Sequence, residues 1–171
     1  MRLFFALWPD EEVRRKLAEA ADKLPLREGR RVPSRNLHLT LVFLGNVQDA
    51  VEARLAEGAA AIRAAPFVLD FDHGGSFRGS GVAWIAPRET PGELLDLVAR
   101  LRELCTRCGI ATEERPWSPH LTVARKVRRR PPAVDFPPIQ WEIKEFCLME
   151  STAGRAGSEY RILRRWPLTV P

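Results

Sequence analysis

The sequence predicts a mixed helix-and-strand fold built as two similar lobes facing each other across a cleft. Three observations predict it. Strand-like and helix-like segments alternate along the 171 residues. A strand–helix–loop–strand unit occurs twice. Each copy ends on the same tripeptide, His38-Leu39-Thr40 and then His120-Leu121-Thr122, although the chain has only three histidines. A two-fold repeat is too short for a solenoid and suits paired lobes. The length suits one compact domain or two small lobes sharing an interface, and the repeat makes the expectation one bilobal domain over residues 1–171.

The first unit opens with "RLFFALW" (2–8), short, apolar and aromatic-rich like a strand. Pro9 and Asp10 then start a helix, with acidic residues in its first turn as the helix dipole favours. Val13, Leu17, Ala20 and Leu24 fall on one helical face. "PLREGRRVPS" reads as a loop, and "NLHLTLVFLG" (36–45) as a strand closed by Gly45-Asn46. An Ala-rich helix is expected over about 48–64, followed by a strand "FVLDFD" (67–72). "GGSFRGS" (74–80) reads as a turn, with or without a short strand, which leaves His73 at a strand-to-turn junction as a loop histidine.

The second unit runs from "VAWIA" (82–86) through a helix "ELLDLVARLRELCTRC" and a loop to "HLTVAR". Leu3 precedes His38 by 35 residues and Val82 precedes His120 by 38, so the two units match in length as well as in kind. "IQWEIKEFCLMEST" then alternates as one long strand, and "YRILRRWPL" as a short final one.

Composition narrows the function. Hydrophobic residues make up 45% and charged residues 29%, a globular balance. No apolar run reaches the roughly 18 residues that span a bilayer. The N-terminus passes straight into acidic residues without a cleavage site. The expectations are therefore no membrane partner, a cytoplasmic location and, by default, a monomer. Net charge is +5, with five cations among residues 125–130 immediately after the second His-Leu-Thr and three more at Arg161, Arg164 and Arg165. Such runs are either solvated surface or a rim that attracts phosphates. The three cysteines, Cys105, Cys108 and Cys147, are read as buried structural residues, since no second pair completes a zinc site.

Residues i and i+2 on a strand share a face. Each motif therefore presents an imidazole beside a hydroxyl, while Leu39, Leu41, Leu121 and Val123 point into the core. With Thr at only seven of 171 positions, two such motifs in matching units are more than composition. In-line displacement at phosphorus needs a base on the attacking oxygen and an acid on the departing one. Two histidines, with unperturbed pKa about 6.5, can supply both. Thr hydroxyls can hold the non-bridging oxygens. With His73 the only other histidine, a metal site looks poorly supplied, and no cofactor is expected. Phe5, Trp8, Trp117 and Tyr160 are aromatic candidates for base stacking or, equally, for the core.

These residues resemble the 2H phosphoesterase superfamily, named for paired H-x-T motifs, and within it the RNA 2′,3′-cyclic phosphodiesterase (2′-5′ RNA ligase) family. "RLFFALWP" is similar to that family's opening strand, "NLHLTLVFLG" to its first motif, "WSPHLTVAR" to its second, and "STAGRAGSEYRILRRWPL" to its closing segment. The resemblance implies a bilobal α+β fold with an antiparallel sheet in each lobe, flanked by helices, and the active cleft between them. It implies metal-independent hydrolysis of an RNA 2′,3′-cyclic phosphate end, or a cyclic nucleotide, to a 2′-phosphate. The near-identical motifs do not themselves say which imidazole is acid and which is base. The resemblance implies His38 as proton donor and His120 as proton acceptor, with Thr40, Thr122 and Arg125 holding the phosphate. Ligation of RNA through a 2′-5′ linkage is the secondary expectation, and an RNA-end-binding module without turnover is the non-enzymatic alternative.

Overall fold

The computed structural model describes residues 1–170. Its elements run in the order β1 (Arg2–Leu7), α1 (Glu11–Asp22), β2 (Arg30–Arg31), a 3-10 turn (Ser34–Asn36), β3 (Leu39–Asn46), α2 (Asp49–Ala60), β4 (Phe67–Ser76), β5 (Ala83–Ala86), α3 (Gly92–Arg107), β6 (Leu121–Arg125), β7 (Val134–Ile143), β8 (Glu145–Gly154) and β9 (Gly157–Pro167). Local chemistry sets the boundaries. Asp10 caps α1, its Oδ1 accepting from the Val13 N–H at 2.9 Å. No helix among the described residues is long and apolar enough to cross a membrane.

The strands form two antiparallel sheets, ordered β3-β1-β8-β9 and β2-β6-β5-β4-β7. The repeat read from the sequence is visible in these orders. β3-β1-β8-β9 corresponds to β6-β5-β4-β7, with β2 added at the β6 edge. Registers agree as well: Thr40 sits opposite Ala6, and Thr122 opposite Trp84. In each unit a bulge falls just before that pair, between Phe5 and Ala6 and between Ala83 and Trp84.

The two units are not closed on themselves. α1, from the first unit, packs on β5 and β7 of the second sheet, whereas α3, from the second unit, packs on β3 of the first. Exchanging helices merges the two interiors. Leu39, Leu41 and Phe5 belong to the same buried cluster as Leu121, Val123 and Phe71, so one core, not one per lobe, fixes the sheets to each other.

Three expectations need correction. The stretch expected as one long strand is two, β7 and β8, broken at Lys144. Ile143 pairs with Phe67 in the second sheet, and Glu145 pairs with Pro167 in the first. Alternation continues through the break because both sheets impose the same two-residue period. The loop "PLREGRRVPS" carries β2, which pairs Arg30 with Arg125 and Arg31 with Ala124. The third is His73, because β4 continues past it to Ser76, into the segment read as a turn with or without a short strand. His73 is therefore a strand residue and not a loop histidine.

Candidate active site

Each sequence-predicted histidine stands one residue before its strand, β3 or β6. Neighbouring Leu39 and Leu121 are fully buried while His38, Thr40, His120 and Thr122 are half-buried. Both imidazoles are oriented the same way. Nδ1 of His38 bonds the carbonyl of Asn36 at 2.7 Å, and Nδ1 of His120 that of Ser118 at 3.1 Å. A carbonyl only accepts, so Nδ1 carries the proton and the neutral ring keeps a lone pair on Nε2. Nε2 of His38 accepts from the Thr40 hydroxyl at 3.1 Å. Nε2 of His120 has no protein partner among the described residues.

His38 sits among aromatic rings. Trp8 stacks on it (centroids 5.5 Å, 19°), Tyr160 meets it edge-on at 5.0 Å, and Phe4 is tilted against it at 5.1 Å. Trp8 in turn lies under the Arg14 guanidinium, 5.0 Å from its centroid. Arg14 is buried and donates to the carbonyls of Ser34 (2.6 Å), Leu37 (2.9 Å) and Pro9 (3.2 Å). It thereby ties the β1–α1 turn to the entry of β3. Asn36 adds a bond from Nδ2 to the Ser158 carbonyl at 2.9 Å, holding the start of β9, and with it Tyr160, near the ring.

Around His120 the setting is sparser. Phe77 meets the ring edge-on at 4.9 Å and leans on Trp84 at 5.5 Å. His73 reaches the same Trp84 at 5.4 Å, at a register shift where the step from Phe71 to His73 on β4 faces the longer step from Ile139 to Asp135 on β7. The extra residues of this bulge belong to β7, and His73 is half-buried. Its Nδ1 is held by Asp72 at 2.9 Å.

A second bulge aims Arg125. Thr122 pairs with Trp84 and Ala124 with Ala83, leaving Val123 as the inserted residue. Val123 and Ala124 both face inward, fully buried, and Arg125 returns to the face that carries Thr122. Its charge reaches both histidines. Burial pushes the His38 imidazole down to about 4, against the pull of the Asn36 carbonyl, and Arg125 and Arg14 depress it further. His120 is lowered by burial too, opposed by the Ser118 carbonyl and assisted by Arg125. One guanidinium within electrostatic reach of both rings, and the direct approach of β3 to β6, bring the two motifs to a common place.

The remaining expectations sort clearly. Arg161, Arg164 and Arg165 are ion-paired to Glu150, Glu52 and Glu145 along β8, β9 and α2. Lys126 adopts φ of 55°, a left-handed turn that leads Arg128, Arg129 and Arg130 out of the sheet. Trp8 and Tyr160 are at the site, Phe5 is core, and Trp117 packs against the main core. All three cysteines are buried and unbridged; burial raises the Cys105 thiol to about 12 and that of Cys147 to about 11. No group of three or more His, Cys, Asp or Glu side chains among the described residues is gathered to hold a metal ion. The sequence reading missed Arg14, Asn36, Phe77 and Trp84. For Arg14 a signal existed, because it shares the helical row of Leu17, Ala21 and Leu24, a charge inside an apolar stripe.

Comparison with known proteins gives a consistent picture. The family model described as the 2′-5′ RNA ligase superfamily matches residues 9–155. An RNA 2′,3′-cyclic phosphodiesterase of Escherichia coli is 37% identical, over 98% of this chain and 97% of its own. One from Thermus thermophilus is 35% identical, over 98% and 90%. The crystal structure of Escherichia coli LigT complexed with 3′-AMP superimposes with a TM-score of 0.88 at 36% identity, covering 98% of both chains.

Proposed function

The chain belongs to the 2′-5′ RNA ligase superfamily, and on that premise we propose that it hydrolyses RNA 2′,3′-cyclic phosphate ends to 2′-phosphates without a metal. The observation that carries this reading is the matched pair of imidazoles. Each is fixed through Nδ1, each keeps Nε2 for chemistry, and both lie under the influence of Arg125.

In the proposed reaction His120 is the base. Its unengaged Nε2 takes a proton from water as the water oxygen bonds to phosphorus. His38, protonated at Nε2, gives its proton to O3′ as the P–O3′ bond breaks. A 2′-phosphate and a 3′-hydroxyl result, and the two rings exchange protonation states. Thr40 and Thr122 donate to the non-bridging oxygens, and Arg125 balances their charge. The His38–Thr40 hydrogen bond gives way at that point, its hydroxyl turning from the ring to the phosphate. Ligation would use the same groups with a ribose hydroxyl of a second RNA in place of water. Water at about 55 M prevails unless that RNA is held in place, so we rank ligation second.

Product analysis on 2′,3′-cyclic AMP in the presence of EDTA tests the proposal. The expected product is the 2′-phosphate at an undiminished rate. Loss of activity with EDTA and rescue by zinc or manganese would refute the two-histidine mechanism. A 3′-phosphate product would refute the assignment of O3′ as leaving group.

A further inference from the structure

Two arginines that should repel each other stand side by side next to the site. β2 pairs Arg30 directly with Arg125 and Arg31 with Ala124. Directly paired residues project from the same face of a sheet, and like charges in that position destabilise it. Ala124 faces the core. Arg31 follows it to that side, donating to the Ala21 and Leu24 carbonyls at the end of α1 (2.7 and 3.0 Å). Arg30 therefore shares the outer face with Arg125 and Thr122.

Neither Arg30 nor Arg125 has a carboxylate partner among the described residues, in contrast to Arg161, Arg164 and Arg165. Both are exposed. Arg30 is nevertheless held, because one Nη2–H donates to the Ala156 carbonyl at 3.2 Å. That bond spans from the β2 edge of the second sheet to the β8–β9 turn of the first. It leaves most of the five guanidinium donors unused. β2 is also the one strand without a counterpart in the repeat, so it adds a cation to one side of the site only.

We propose that Arg30 and Arg125 form a subsite for the phosphodiester next to the terminal nucleotide, so that the site recognises the end of an RNA strand over a free cyclic nucleotide. The inference rests on the function proposed above. β2 lies one strand spacing, about 4.8 Å, beyond β6. A nucleotide whose cyclic phosphate sits at the Thr hydroxyls and Arg125 directs its own 5′ phosphate to an adjoining position, and Arg30 is the unpaired cation offered there. An anion between the two guanidinium groups turns the cross-strand repulsion into shared attraction.

The experiment compares 2′,3′-cyclic AMP with an oligoadenylate tetranucleotide ending in a 2′,3′-cyclic phosphate. The readout is the ratio of kcat/KM for the tetranucleotide to that for the mononucleotide, at low and moderate salt. Arg30→Gln is expected to lower this ratio about fivefold to tenfold and to reduce the salt slope on the tetranucleotide by about 0.7, the value for one single-strand phosphate contact. Arg30→Lys, which keeps the charge, should retain most of the ratio. An unchanged ratio in Arg30→Gln, or a fall on both substrates together, overturns the proposal. Fluorescence anisotropy with a tetranucleotide bearing a terminal 2′-phosphate gives a second readout that needs no turnover. If the wild-type protein hydrolyses neither substrate, the function proposed above fails. The subsite is then decided by whether Arg30→Gln weakens tetranucleotide binding; equal binding overturns it.

Discussion

Titrating His38 in the free protein, and again with inorganic phosphate bound, measures how an anion redistributes the proton between the two histidines. Burial and the charges of Arg125 and Arg14 hold the free imidazole at about 4. At pH 7 about one molecule in a thousand then carries the proton that the acid must donate. A phosphate charge about 4 Å away, at an effective dielectric of about 20, contributes about 4 kcal/mol, or about 3 pKa units. That brings His38 to about 7, where it can serve. The assay is NMR of the imidazole Cε1–H signals of three histidines, assigned with His73→Gln and His120→Gln. His38 should titrate near 4 alone and move up by about 2 to 3 units with phosphate. Kinetics should follow: kcat/KM reports the free enzyme, so its bell should lie on the acid side of the bell for kcat, which reports the complex. A free His38 titrating above about 6, or a phosphate shift below about one unit, would refute the argument that the bound anion keeps the acid protonated.

Three further outcomes are expected. The pKa of His38 is depressed on folding from 6.5 to about 4, so the unfolded chain binds the extra proton between those values. Stability should be greatest above pH 6.5 and fall by about 3 kcal/mol as the pH drops through that window, a loss that His38→Gln should abolish in thermal melts at pH 4.5 and 7. Changing His38 or His120 to Ala should each cost about 10² to 10⁴ in kcat/KM, and the double variant far less than the product of the two, because one missing partner already disables the transfer; multiplicative losses would mean the rings act independently. Arg14→Met frees the carbonyls of Pro9, Ser34 and Leu37; it should destabilise the fold by roughly 3 kcal/mol, lower kcat more than KM rises, and raise the pKa of His38 by removing a nearby positive charge. An unmoved His38 titration would leave Arg14 a purely structural group.

The paired motifs were legible in the sequence because both of their properties are local. The two-residue period of a strand puts Thr40 with His38 and Thr122 with His120, and it sends Leu39 and Leu121 inward, whatever the rest of the chain does. The repeated order of strand and helix was legible for the same reason. Contacts between distant segments decided the rest. Local alternation cannot show that the chain changes sheets at Lys144, since both sheets share one period. It cannot show that α1 and α3 exchange partners, since an apolar helix face fits either sheet. The bulge at Val123, which turns Arg125 outward, and the register shift of β7 against β4 before His73 exist only in the pairing with a neighbouring strand. Arg14 and Arg30 belong to this second class. One is an ordinary helix cation until its guanidinium joins the nearby Pro9 carbonyl to two carbonyls far along the chain, those of Ser34 and Leu37, and the other an ordinary loop cation until β2 pairs with β6. A side chain's type and period are fixed by its own few residues, whereas its proton affinity, its orientation and the charge opposite it depend on segments that only the folded chain brings together.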